Sequence, residues 1–262
     1  MIVKIDADFI KNLKNFIANN PINQTVLKVG DDYKYPCMLS IGNELLWEGH
    51  DPSDWVTVKE AKDYLLGLKR KTCTLCEKVL EEMTYASDEY CEKYFTFYWN
   101  SNTNSYSIEA KEGVTLAGDV YIPGLYKGKP VTHIEPEGFK GCDYIDEITI
   151  AKNITHIGER AFQVCSGLEY VVFEDGSQLN TIGTSAFGGC ANLLEVVIPD
   201  SVTSIDNWAF GWCYNLISVE FKDPNGWRIS GMYPLTSSEL SNASTAAQYL
   251  TSTYRDYIWS KQ

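Results

Sequence analysis

Ile182-Gly-Thr-Ser-Ala-Phe187-Gly-Gly-Cys190-Ala-Asn-Leu193-Leu-Glu-Val196-Val-Ile198-Pro-Asp-Ser-Val-Thr-Ser204-Ile205 decides the architecture of this 262-residue chain. The stretch ends on the residue type with which it began. Small residues lead to Phe187 and Cys190, and a leucine follows three positions on. Val196 and Ile198 then alternate with Glu195 and Val197, the period-two signature of a half-buried strand. Pro199-Asp-Ser supplies a turn.

The same columns recur outward from this stretch. Ile134, Ile157, Ile182 and Ile205 are separated by 23, 25 and 23 residues, and so are Phe139, Phe162, Phe187 and Phe210, and Cys142, Cys165, Cys190 and Cys213. Ile145, Leu168, Leu193 and Leu216 fill the next column. The strand pairs are Ile148/Ile150, Val171/Phe173, Val196/Ile198 and Val219/Phe221. The second unit is longer because Glu174-Asp-Gly-Ser-Gln-Leu-Asn-Thr181 replaces the tighter turn, and two extra turn residues are easily absorbed.

A fixed period of this length is the mark of a solenoid. One unit cannot bury its own Ile, Phe, Cys and Leu. Stacking places like residues above like at about the 4.8 Å strand spacing. The four cysteines are then expected as small, buried, reduced hydrophobes in a ladder. Equivalent side chains along a ladder do not converge tetrahedrally, which argues against zinc among them.

These columns resemble the BspA-like class of leucine-rich repeats, whose pattern is Ile-x-x-x-Ala-Phe-x-x-Cys-x-x-Leu-x-x-Val-x-Ile-Pro-x-Ser-Val-Thr-x-Ile. Residues 182–205 match it almost throughout. Gly138 stands for the alanine of the first unit, and Ala151 for the proline after its strand. The resemblance covers roughly residues 95–262 and implies the repeat fold. It leaves function open, because the class occurs in adhesins, surface proteins and many chains of unassigned role. It implies secretion or surface attachment.

The solenoid needs closed ends. Phe95-Thr-Phe-Tyr-Trp-Asn, Tyr106-Ser-Ile-Glu-Ala and Asp119-Val-Tyr-Ile-Pro read as short strands of a hairpin cap over residues 94–133, before four repeats over 134–221. In the C-terminal cap, residues 222–262, Ala246, Ala247, Leu250, Tyr254, Tyr257 and Ile258 fall at helical spacing. Trp208, Trp212 and Tyr214 are expected beneath that helix, near Trp227 and Trp259, with a binding hot spot as the alternative.

Residues 1–93 read as a separate small α+β domain. Phe9, Leu13, Phe16 and Ile17 share a helical face that stops at Asn19-Asn20-Pro21. Thr25–Val29 and Tyr35–Ile41 read as strands around Gly30-Asp31-Asp32. A capping box at Thr57-Val-Lys-Glu60 introduces an expected helix carrying Ala61, Tyr64, Leu65 and Leu68. Another helix is expected to carry Cys76, Val79, Leu80 and Met83. The fold class expected for the whole chain is α+β, a small domain followed by a capped repeat solenoid with a parallel sheet and a C-terminal helix.

Charge narrows the partners. The formal net charge is −13. Residues 1–93 carry 16 acidic and 12 basic residues, residues 94–226 carry 17 and 7, and residues 227–262 carry 2 and 3. The acidity belongs to the repeats, which therefore repel phosphate backbones and exclude nucleic acid as a direct partner. A protein partner, and a basic one, is compatible. No apolar run approaches membrane-spanning length. No signal peptide opens the sequence, which favours the cytoplasm; a cell-surface or secreted location follows if a signal was removed.

Catalytic signals are lacking. No phosphate loop, metalloprotease or kinase pattern is present. Cys73-Thr-Leu-Cys76 is half a zinc site that Cys37 and Cys91 could complete, or a redox pair, but Cys76 falls on an apolar helical face and the pair reads as structural, so no metal and no cofactor is expected. His133 and His156 share one repeat position and are expected to stack on adjacent rungs, pointing outward. The outward strand columns carry the binding expectation: Glu147, Tyr170, Glu195 and Ser218 in one, Thr149, Val172, Val197 and Glu220 in the other. An apolar centre between acidic flanks is an interface pattern. The reading is a non-catalytic, ligand-binding interaction or adhesion module. Its alternatives are an enzyme or regulator in residues 1–93 with the solenoid as targeting arm, and an acidic inhibitor of a basic host or defence protein.

Overall fold

The computed structural model describes residues 86–231 and 234–261 and, of residues 1–85, the backbone of six strands. The chain divides into two compact units, Met1–Tyr85 and Ala86–Gln262.

In the first unit, β1 (Leu27–Val29), β2 (Met38–Ile41) and β3 (Glu44–Glu48) form one antiparallel sheet. The pairing of β1 with β2 is the one expected. β4 (Val56–Lys59), β5 (Gly67–Thr72) and β6 (Val79–Tyr85) form another. Here the sequence reading is corrected. Thr57 lies in a strand rather than a capping box, and Leu68, Val79, Leu80 and Met83 lie in strands rather than helices. The register sets Arg70 opposite Glu82 and Lys71 opposite Glu81. A short apolar run fits both the helical and the strand period, and the pairing of the strand decides between them. The helix expected around Phe9–Ile17 and the Cys73–Cys76 pair lie outside the described residues.

The second unit opens with α1 (Asp88–Tyr94), capped by the Ser87 hydroxyl, which accepts from Tyr90 N at 3.1 Å. There follow β7 (Phe95–Asn100), β8 (Ser105–Ala110), β9 (Ala117–Ile122), β10 (Leu125–Tyr126), β11 (Lys129–Ile134), β12 (Tyr144–Ile150), β13 (His156–Ile157), β14 (Tyr170–Phe173), β15 (Thr181–Ile182), β16 (Glu195–Ile198), β17 (Ser204–Ile205), β18 (Ser218–Phe221) and β19 (Trp227–Ile229). Each coil contributes one strand to each of two parallel sheets. The long strands stack as β9-β12-β14-β16-β18, and the short ones as β8-β11-β13-β15-β17. The segment expected as a hairpin cap does form hairpins, β7 with β8 and β10 with β11. It also supplies a first coil, because β8 and β9 lie parallel to β11 and β12.

Between the sheets the Phe and Cys columns form the third side. Phe139, Phe162, Phe187 and Phe210 stack with ring centroids 5.2, 5.2 and 5.3 Å apart. Each is fully buried, and burying a side chain of this size stabilises by about 1.5–3 kcal/mol. Coils approach so closely that a Cβ on Gly158 meets Ile134 O at 2.7 Å and Pro136 N at 2.6 Å. Cys165, Cys190 and Cys213 are buried free thiols, as the ladder requires, but Cys142 is only half-buried. No Phe–Cys turn precedes it to cover its sulfur.

The C-terminal cap is more divided than the helical spacing implies. α2 (Ser237–Leu240) and α3 (Ala243–Gln248) lead into a π-helical turn over Tyr249–Thr253, and β20 (Trp259–Lys261) ends the described chain. Ala246, Ala247 and Leu250 are buried, while Tyr257 and Ile258 are exposed. Trp259 is a strand residue that pairs antiparallel with Ile205 and, with β19 beyond it, extends the short-strand sheet. Competition for that open sheet edge ends the helix early.

Candidate functional site

The long-strand sheet aligns the outward residues by register. Glu147 pairs with Tyr170, Tyr170 with Glu195, and Glu195 with Ser218, giving one row across four coils. Thr149 pairs with Val172, and Val197 with Glu220. All eight residues singled out from the sequence therefore lie on one sheet. They are not equally accessible: Tyr170, Val172 and Val197 are exposed at 38%, 42% and 37%, and Glu195 and Glu220 are exposed, whereas Glu147, Thr149 and Ser218 are half-buried.

Two further residues extend the rows. Asp119 pairs with Glu147, and Tyr121 with Thr149. The signal was present, since Asp119-Val-Tyr-Ile-Pro repeats the alternation of Glu195-Val-Val-Ile-Pro. Tyr121 is buried. The Tyr90 hydroxyl accepts from Tyr121 N and donates to Tyr121 O, both at 3.2 Å, satisfying the outer edge of β9. The Tyr121 hydroxyl donates to Glu174 Oε1 at 3.1 Å, and Lys152 N donates to Glu174 Oε2 at 3.0 Å. This network fixes the start of the long turn that follows β14.

That turn shapes a concavity of about 410 Å³ on the outward face. Tyr170, Val172, Phe173, Glu195 and Val197 line it from the strands, and Asp175 and Asp200 from the turns. The two-residue insertion is thus one wall of the cavity. Glu147, Thr149, Ser218 and Glu220 do not line it. Lys222 is its one cationic lining residue.

Other side chains singled out from the sequence group elsewhere. His133 and His156 stack on the short-strand sheet, with centroids 4.5 Å apart and planes within 1°. They are half-buried, and each Nδ1 lies 2.8 Å from the hydroxyl of the preceding residue, Thr132 or Thr155. The Thr155 hydroxyl donates to Thr132 O, so His156 Nδ1 is the donor in its own pair. Burial holds His133 below the ordinary histidine pKa, the neighbouring His156 charge adds to this, and Glu135 opposes it. Trp208 packs under Arg255, whose guanidinium carbon is 4.4 Å from the ring centroid. Trp212 and Tyr214 are exposed instead of covered, while Trp227 and Trp259 bury themselves against Phe221. Among the described residues, no three His, Cys, Asp or Glu side chains gather to hold a metal, and no helix is long and apolar enough to cross a membrane.

Two parallel sheets, an aromatic–thiol third side and closed ends define a capped leucine-rich-repeat solenoid. Residues 129–250 match the BspA type leucine rich repeat region in six copies, so the resemblance read from the columns holds over that segment. Repeat regions of this kind are typically protein-interaction or adhesion modules. Among solved structures, a leucine-rich repeat protein from Bacteroides capillosus is 26% identical, with a TM-score of 0.43 over 50% of this chain and 96% of that one. The T. pallidum leucine rich repeat protein is 24% identical, with a TM-score of 0.40 over 50% and 70%. A leucine rich cell surface protein from Faecalibacterium prausnitzii is 24% identical, with a TM-score of 0.32 over 50% and 40%. No curated protein matches the sequence.

Proposed function

We propose that the repeat unit is a non-catalytic protein-interaction module whose partner docks on the outward face of the long-strand sheet. The observation that carries this is the register. It sets Tyr170 beside Glu195 and leaves Tyr170, Val172 and Val197 exposed around one concavity. Solvent-exposed apolar side chains grouped beside carboxylates suit a partner that is apolar at its centre and basic at its rim. Residues 134–226 carry 14 acidic and 4 basic residues, which favours a basic partner in encounter as well as contact.

Site-specific photo-crosslinking tests this in cells that make the protein. A photoreactive residue is placed at Tyr170, at Glu195 or at the exposed control position Tyr214. The same protein is expected to crosslink from positions 170 and 195 and not from 214. Crosslinking from 214 alone, or to unrelated proteins at 170 and 195, overturns the reading.

A further inference from the structure

Five coils place an equivalent residue just after the long strand: Pro123, Ala151, Glu174, Pro199 and Lys222, and Pro123, in the first coil, has no earlier long strand to serve. Three use their N–H in one way. Ala151 N donates to Ile122 O at 3.2 Å, Glu174 N to Ile150 O at 3.0 Å, and Lys222 N to Ile198 O at 3.0 Å. Pro199 has no N–H, so it cannot serve the Phe173 carbonyl at the matching place.

The hydrogen-bonded register is shortened at that point. Register between β14 and β16 covers Tyr170 with Glu195 and Val171 with Val196, and stops there. The flanking pairs, β12 with β14 and β16 with β18, each run over four residues. Phe173 is half-buried where Ile150, Ile198 and Phe221 are buried. The concavity of about 410 Å³ fills this opening, between Val172 and Phe173 on one strand and Val197 and Pro199 on the other.

The chemistry of the opening selects its occupant. Its walls offer apolar surface at Val172 and Val197 and an aromatic ring at Tyr170. Its rim offers the carboxylates of Asp175, Glu195 and Asp200. Phe173, whose carbonyl Pro199 cannot serve, is itself a lining residue. We propose that this opening takes one arginine side chain of the partner polypeptide, its stem on the two valines and its guanidinium donating to the Phe173 carbonyl and the rim carboxylates. A planar fork of five donors serves a carbonyl and a carboxylate together and lies flat on an aromatic ring, which an ammonium does not. The inference rests on the strand face being the binding face, and it assigns that face an anchor.

The test is a nuclear magnetic resonance titration of the full chain with N-acetyl-arginine amide, beside N-acetyl-lysine amide and the neutral isostere N-acetyl-citrulline amide. Arginine is expected to shift the amides of Val172, Phe173, Gly176 and Val197 saturably. Lysine is expected to shift them at least threefold more weakly, and citrulline negligibly. Pro199→Ala restores the N–H that Ala151 supplies at the end of strand β12, and is expected to weaken the arginine response at least fivefold while the remaining spectrum is kept. Equal responses to arginine and citrulline, shifts spread evenly over Glu147 and Glu220, or an unchanged response in Pro199→Ala overturns the anchor. If crosslinking from Tyr170 and Glu195 survives such a result, the anchor alone has failed and the binding face stands.

Discussion

The Cys190 thiol donates to the Phe162 carbonyl of the preceding coil at 3.1 Å. Cys165 does the same to Phe139 O at 3.0 Å and Cys213 to Phe187 O at 3.1 Å. The cysteine column is therefore a set of rung-to-rung donors as well as a column of small hydrophobes. The Phe162 carbonyl also accepts Cys165 N at 3.3 Å, so losing the thiol does not orphan it. Cys190→Ala is accordingly expected to cost only about 1–2 kcal/mol, the sum of a weak hydrogen bond and a small void. Denaturant unfolding followed by fluorescence measures it, and a cost above about 3 kcal/mol contradicts this assignment.

Thiol labelling should separate the column. Burial pushes the Cys142 and Cys213 thiols up to about 12, and thiolate is the reactive form. All four are expected to label slowly in the native protein, Cys142 first because it is half-buried, and fully once the chain is unfolded. Peptide mass spectrometry of timed alkylation gives the order. Disulfide-linked peptides among the four in unreduced protein would refute the ladder.

Val164 holds φ at +54° where Gly141 and Gly189 stand in neighbouring coils, at +70° and +78°. A β-branched residue in the left-handed region carries strain of about 1–2 kcal/mol. Glycine relieves it at an entropy cost of roughly 0.5–1 kcal/mol. Val164 is exposed, so little packing is lost. Val164→Gly is expected to raise the thermal midpoint by a few degrees, whereas Gly158→Ala, which drives a Cβ into Ile134 O, should lower it strongly. Differential scanning calorimetry of both variants decides the point.

How much of this was legible follows from which interactions are periodic. The Ile, Phe, Cys and Leu columns repeat in sequence because they repeat in space, so the core and the outward rows could be read directly. The thiol–carbonyl bonds could not, since their acceptors are backbone atoms with no residue signature. The strands at Leu68 and Val79–Met83 were misread because one short apolar run fits both periods until its partner is known. Tyr257 and Ile258 fall at helical spacing but lie beyond the helix, because the tail there turns into β20, which pairs with a sheet edge at Ile205 that only the assembled solenoid presents. The concavity needed the aperiodic insertion at Glu174–Thr181 beside the proline turn of the next coil, a meeting that is three-dimensional.

The stacked histidines should give the protein a pH-dependent stability. The folded-state pKa of His133 lies below the ordinary value, so the unfolded chain binds more protons as pH falls below about 6.5. Stability is then fully present above that value and is lost as pH falls through it toward the folded-state pKa. The thermal midpoint is expected to decline between pH 7 and pH 5, before ordinary carboxylates titrate. Thr181 fills the same column two coils on, so His133→Thr should fold and flatten this slope. An unaltered slope in that variant removes the histidine pair as its cause.

The binding face and the core make opposite demands, and mutation can tell them apart. Tyr170 and Glu195 are exposed on the outward face, so Tyr170→Ala with Glu195→Lys is expected to leave the thermal midpoint nearly unmoved. The same double change should weaken the partner crosslinked at these positions at least tenfold, and more steeply at low salt, because charge contacts are screened over about 10 Å at 0.1 M. Phe187→Ala removes a ring stacked between Phe162 and Phe210 and should cost about 3–5 kcal/mol. Any binding it loses should therefore track unfolding, and should return at lower temperature. If the double variant binds with full affinity while a chain lacking residues 1–85 does not bind at all, the partner reads the first unit and the strand face is not its site.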